Sequence, residues 1–194
     1  MTQEKKTEEL IELNRPLIEA HPFLVPLWAR EPDSEYDGSF TIKDLVPMGW
    51  GDLIIEMCSE IEAHAKESGL DVTKMGVYDI KEKYGELRIE AGGPQFDAKC
   101  QDIIDSYCEK SLLVCPSCGK PTKYVTSGYI LYLCPECAKQ AKIPSRPLTA
   151  EDIPYYTYYE YDEETHEQTK KYTRPTHHDA VFRAQWNGKE TDEG

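Results

Sequence analysis

The chain is 194 residues long, enough for one ordinary domain with a small module and a tail, and enough to bury a core without disulfides. Apolar residues make up 39% and charged residues 30%, and 36 acids against 22 bases give a net charge of −14. That balance argues against a protein that coats nucleic acid or binds an anionic membrane, both of which need excess Lys and Arg, and it permits a basic partner.

Residues 1–20 predict a short charged helix with Leu10, Ile11, Leu13, Leu17 and Ile18 on its apolar side. From Pro22 to Pro47 prolines and acids dominate. This stretch predicts irregular chain with one short helical turn, anchored by Phe23, Leu24, Leu27 and Trp28, and an exposed acidic loop over 31–38. The clearest helix follows. Trp50, Leu53, Ile54, Met57, Cys58, Ile61 and Ala65 form a helical stripe, Asp52 suits the positive end of the dipole, and Ser68-Gly69 is a stop. Glu56, Glu60, Glu62 and Glu67 fall on the opposite side. Met75, Val77, Tyr78, Ile80, Tyr84, Leu87 and Ile89 then surround a polar segment, as in a β-hairpin. Gly92-Gly93-Pro94 breaks the chain before a second amphipathic helix over 96–112, with Phe96, Cys100, Ile103, Ile104, Tyr107, Cys108 and Leu112 on one face.

Seven cysteines, an odd number in a chain with no apolar signal core and no membrane-length apolar run, do not form a disulfide framework. The expected location is the cytoplasm. Cys58, Cys100 and Cys108 sit on core stripes and read as small apolar residues. Cys115, Cys118, Cys134 and Cys137 form C-x2-C, fifteen residues, C-x2-C, the spacing of a zinc site. Two unrelated pairs, or a redox pair, are the alternatives. Four thiolates would fill the tetrahedron of one Zn²⁺, leaving no open position, so the expected ion is structural.

Residues 124–133 predict two short strands turning at Ser127-Gly128, and residues 138–142 a helix ending before Pro144. Knuckle, hairpin and helix in that order resemble a treble-clef finger; a zinc ribbon would continue as a strand. HNH nucleases also use treble clefs. Here the residues between the two pairs contain no His, Asp, Glu or Asn, so no residue of that segment can activate water. Residues 113–143 carry four lysines, Lys120, Lys123, Lys139 and Lys142, against one acid. They can offset the negative charge of a zinc–tetrathiolate centre or, in the alternative, contact nucleic acid.

Residues 155–172 hold six of thirteen tyrosines and predict a hairpin turning near Asp162–Thr165. Tyr156, Tyr158, Tyr159 and Tyr161 with Glu160, Glu163 and Glu164 suit a Lys/Arg-rich protein partner, the alternative being a hairpin packed as scaffold. His166, His177 and His178 lack neighbours at recognisable ligand spacing, and the last nine residues read as frayed.

The block from Met48 to Cys137 resembles a family of small uncharacterised proteins of bacteria and their phages. The resemblance rests on Gly49-Trp50 opening a helix that contains Cys58, on Lys81-Glu82-Lys83-Tyr84-Gly85-Glu86-Leu87-Arg88, and on the knuckle Cys115-Pro116-Ser117-Cys118-Gly119. It implies a phage or mobile-element context in a bacterial cytoplasm and transfers no activity.

The expected fold is α+β: a helix–β-hairpin–helix core with an embedded four-cysteine zinc finger, treble clef or zinc ribbon, and a C-terminal hairpin tail. The expected segments are 1–47, 48–112, 113–143 and 144–194. The leading functional expectation is a non-enzymatic interaction factor that occupies a basic host protein surface. A zinc-finger nucleic-acid binder is the second. An enzyme built on Lys81, Lys83, Tyr84, Glu86 and Arg88 is the third, although alternation already explains those charges as a solvated strand face.

Overall fold

A computed structural model of the chain describes residues 3–149, 152, 156–161 and 168–173. It has two compact units, Met1–Arg146 and Pro147–Gly194. The first contains α1 (Gln3–Ala20), α2 (Gly51–Ser68), β1 (Gly76–Lys83), β2 (Glu86–Gly92), α3 (Ala98–Ser111), β3 (Tyr124–Thr126), β4 (Tyr132–Leu133) and α4 (Pro135–Gln140), with β5 (Ser145–Pro147) at its end. The second contains β6 (Tyr156–Tyr161) paired antiparallel with β7 (Gln168–Thr173). The fold is α+β, as the residue pattern predicts.

The core forms where α3 packs against both α2 and β2. Trp50, Ile54, Met57, Cys58 and Ile61 from α2 and its entry turn meet Val77 and Leu87 of the hairpin and Cys100 and Ile104 of α3. The predicted stripes are therefore the buried faces. Gly69, in the left-handed region at φ 70°, ends α2 and donates to the Ala65 and Lys66 carbonyls. Burial pushes the Cys58 thiol well above its usual range and Cys108 up to about 12, so both behave as apolar core groups.

Three local expectations fail. In α1, Leu10, Ile11, Leu17 and Ile18 are half-buried as predicted, but Leu13 is 67% exposed and Asn14, the next residue, is buried in its place. The segment 22–47 contains three 3₁₀ turns, Pro22–Leu24, Leu27–Arg30 and Ile42–Leu45, where one was expected. Trp28 is half-exposed; it stacks on Phe40 and meets Tyr36 edge-on in a small aromatic cluster. Glu62 is not on a solvated face. Its carboxylate is half-buried, 2.9 Å from His21 Nδ1, and accepts the Phe23 amide, fastening the N-terminal segment to α2.

Arg30 is the second fastener, and periodicity gives no sign of it. One guanidinium nitrogen donates to the Thr73 and Met75 carbonyls and another to those of Pro22 and Val25, at 2.5–3.0 Å. A planar fork can reach four carbonyls at once; an ammonium cannot. Arg30→Met should therefore destabilise the chain by about 2–4 kcal/mol in urea unfolding, and Arg30→Lys should recover less than half of that loss.

Candidate metal centre and its joint to the core

The finger starts directly after α3. Thr122 donates from its amide to Leu113 O and from its hydroxyl to Leu112 O, and the Cys115 amide donates to Lys120 O. Inside the knuckle, the Cys118 and Gly119 amides both turn back onto Cys115 O, at 3.2 and 2.8 Å. The β3–β4 hairpin then returns the chain so that Cys134 caps α4. Its sulfur accepts the Cys137 amide at 3.4 Å, which places Cys137 in the first turn of that helix.

The four predicted cysteines meet. Their sulfurs all lie within 4.8 Å of one another, with Cys118 3.5 Å from both Cys134 and Cys137. This donor set can hold a metal ion. Cys134 and Cys137 open a helix, so the finger has the knuckle–hairpin–helix order of a treble clef. The Lys120 amide beside its sulfur brings the Cys118 thiol down to about 7. Desolvation pushes Cys134 and Cys137 up.

The finger is joined to the core by the residues that open α2. The Gly49 amide donates to Pro116 O at 2.9 Å, and Trp50 Nε1 donates to Val114 O at 2.9 Å. A Cβ at position 49 would stand 2.6 Å from Pro116 O, 2.7 Å from Gly119 N and closer still to Cys115 O, so only glycine lets the two backbones approach. A second contact comes from the β1–β2 turn. Tyr84 and Gly85 both have positive φ, 56° and 80°, as a type I′ turn requires. Gly85 lies against the Tyr132 ring of β4, and the Tyr129 hydroxyl donates to Glu82. The Gly-Trp and Lys-Glu-Lys-Tyr-Gly segments thus share one task in the structure: they seat the finger.

The enzyme candidates do not assemble. Lys81 pairs with Asp79 and with Glu90, the latter at 3.7 Å, Lys83 lies over the Tyr84 ring, and Tyr84 is exposed. Glu86 contradicts the solvated-face reading, being 1% exposed with one oxygen 2.6 Å from Arg88. The type I′ turn and the contact with α3 bury the first residue of β2. Glu86 Oε1 and Glu109 Oε2 are buried without a hydrogen-bond partner among the described residues. Of the finger lysines, Lys120 lies 3.5 Å from Glu136, and Lys123, Lys139 and Lys142 are exposed. In the tail hairpin Tyr158 pairs with Lys171 and Tyr159 with Lys170, so these two tyrosines belong to opposite faces. Tyr156 pairs with Thr173, Glu160 with Thr169 and Tyr161 with Gln168. Glu163, Glu164, His166, His177 and His178 lie outside the described residues.

No protein-family model, curated protein or solved structure matches this chain. Among the described residues no helix is long and apolar enough to cross a membrane.

Gly49→Ala should loosen the finger while leaving α2 helical: hydrogen exchange should rise at the Cys118 and Gly119 amides, with a stability loss of about 2 kcal/mol or more. The buried carboxyls give the chain a pH dependence of its own. Burial pushes Glu86 up to about 7, with Glu109 adding to the rise and Arg88 opposing it; burial, then Asp105, pushes Glu109 up to about 7. Between about pH 4.5 and 7 the unfolded chain releases protons that the folded chain keeps, so stability should fall as pH rises through that window. Glu86→Gln should flatten the slope, by on the order of 2 kcal/mol across the window in denaturant titrations.

Proposed function

We propose that this chain is a non-enzymatic interaction factor whose four-cysteine centre holds one structural Zn²⁺ and whose acidic surface docks on a basic protein. The observation that supports it best is the distribution of exposed charge. Asp52, Glu56, Glu60 and Glu67 of α2 and Asp102 and Asp105 of α3 are exposed, and the two helices pack side by side. Carboxylates held on rigid helices give a field that steers a cationic partner and repels phosphate. The Tyr-rich strand, with Tyr156, Tyr158, Tyr159, Tyr161 and Glu160, supplies aromatic anchors of the kind that hold a complex once formed.

Zinc suits the centre because four sulfurs with no carboxylate or imidazole among them are soft donors that close a tetrahedron. An ion so enclosed has no place for substrate. The lysine cluster gives less support to a nucleic-acid reader, since Lys120 already faces Glu136 at 3.5 Å. The motif resemblance of residues 48–137 supports a phage or mobile-element origin, in which the basic surface belongs to the host and the factor acts as its inhibitor.

Freshly purified protein should carry at least one equivalent of zinc, and Cys134→Ser should lower the content by one. Capture from a bacterial lysate should return a basic protein whose association rate falls steeply between 0.01 and 0.15 M salt, where the Debye length shortens from about 30 to about 8 Å. Glu56→Gln with Glu60→Gln should slow association several-fold and leave dissociation nearly unchanged. Recovery of nucleic acid, with affinity lost on replacing Lys120, Lys123, Lys139 and Lys142, would overturn the reading.

A further inference from the structure

A second convergence of metal donors lies across the core from the sequence-visible one. His64 is in the last turns of α2, Asp97 is the N-cap of α3, and Cys100 is three residues into that helix. His64 Nε2 is 2.9 Å from Asp97 Oδ2, and the Cys100 sulfur lies within 4.8 Å of a ring nitrogen of His64 and of a carboxylate oxygen of Asp97. The sulfur is buried and Met75 Sδ lies 3.9 Å behind it; the histidine and aspartate are partly open to solvent. The donors thus have a closed floor and an accessible mouth.

Two features set this group apart from an ordinary ion pair at a helix start. The first is a local repeat of the finger's own geometry. In α4 the cap Cys134 accepts the amide of Cys137 at 3.4 Å; in α3 the cap Asp97 accepts the amide of Cys100 at 2.9 Å. Cap and third residue are ligand types in both cases, and the helix start presents both to one point. The second is the far side of the imidazole. Ser68 Oγ lies 3.3 Å from His64 Nδ1, so the ring is held from behind with Nε2 directed at Asp97. Ligating histidines are commonly oriented in this way, through the nitrogen that does not bind the ion.

We propose that His64 Nε2, Asp97 Oδ2 and Cys100 Sγ form a second metal site, for a divalent transition ion of the zinc class, with its fourth position open. Bond lengths of about 2.0–2.3 Å around a tetrahedral ion put donors roughly 3.3–3.6 Å apart. The aspartate and imidazole need separate by only a few tenths of an ångström, and the sulfur, within 4.8 Å, need swing in by about 1.5 Å at most. Mixed sulfur, nitrogen and oxygen donors suit Zn²⁺ or Co²⁺ better than Mg²⁺ or Ca²⁺, which take oxygen ligands. Three protein donors leave one position for water or an exchangeable ligand, so this centre, unlike the four-cysteine centre, could bind a small anion or act as a Lewis acid.

The test is a Co²⁺ titration of the reduced, metal-free full-length chain under anaerobic conditions, followed by absorbance and by metal content after gel filtration. The proposal expects one equivalent of uptake that depends on Asp97 and His64, separate from the equivalent taken by the four-cysteine cluster. Asp97→Asn and His64→Gln should each abolish it and leave the four-thiolate spectrum unchanged, and Cys100→Ser should remove its thiolate-to-cobalt charge-transfer band. Ser68→Ala should weaken it about tenfold. Asn caps a helix as well as Asp does, so Asp97→Asn keeps α3 folded and decides the matter even if another variant does not fold. The proposal is overturned if the wild type takes up nothing beyond the equivalent held by the four finger cysteines, or if a further equivalent survives unchanged in Asp97→Asn and so belongs elsewhere in the chain.

Discussion

The close approach of Gly49 to the Cys115–Cys118 knuckle is the constraint on which the rest of the first unit depends. Two backbones meet there without a side chain between them, and the Gly49 amide spends its hydrogen bond on Pro116 O. Trp50 then has one possible seat: its ring fills the core and its indole N–H reaches the Val114 carbonyl, at the point where the chain enters the finger. The helix start and the knuckle fix each other. A metal bound by the four sulfurs would therefore order more than a finger; it would fix the entry of α2, whose stripe organises the core.

Elements with their own periodicity are the ones legible in the sequence. The stripes of α2 and α3 and the hairpin alternation each exceed the competing signals, because burial at regular intervals leaves a regular trace. The four finger cysteines are legible for a different reason: ligand chemistry admits few residue types, and a knuckle admits few spacings. Residues 22–47 hide their structure because 3₁₀ turns follow proline and backbone carbonyls, not a hydrophobic period. Glu62 makes its contacts, and Arg30 two of its four, with segments 39–45 residues away, and no local pattern encodes a partner at that distance. Leu13 yields its place to Asn14 because apolar residues at neighbouring helix positions leave open which of the two faces inward.

Glu86 misleads for an instructive reason. It lies in a run of alternating charges, which ordinarily marks a wet strand face. The alternation is real, but the two-residue turn at Tyr84-Gly85 presses the start of β2 against α3 and the finger. Two carboxylates, buried Glu86 and half-buried Glu109, then stand near each other in a chain that already carries −14. Arg88 opposes that repulsion for Glu86, at 2.6 Å. Such a pair is held by the fold and does not drive it, since removing carboxylates from water costs more than one half-exposed guanidinium returns.

Protonation links the finger to its ion in the same terms. A thiol must lose its proton to become a ligand, and the protein environment treats the cysteines unequally. Cys118 is exposed and receives the Lys120 amide, which lowers its thiol, whereas desolvation raises those of Cys134 and Cys137. A metal ion held by the four sulfurs would displace those protons, and its charge would make the deprotonations favourable. Affinity for such an ion would rise with pH, because thiol protons would leave as it bound. It must also depend on Gly49, because the knuckle can present Cys118 in this way only while it is seated against α2.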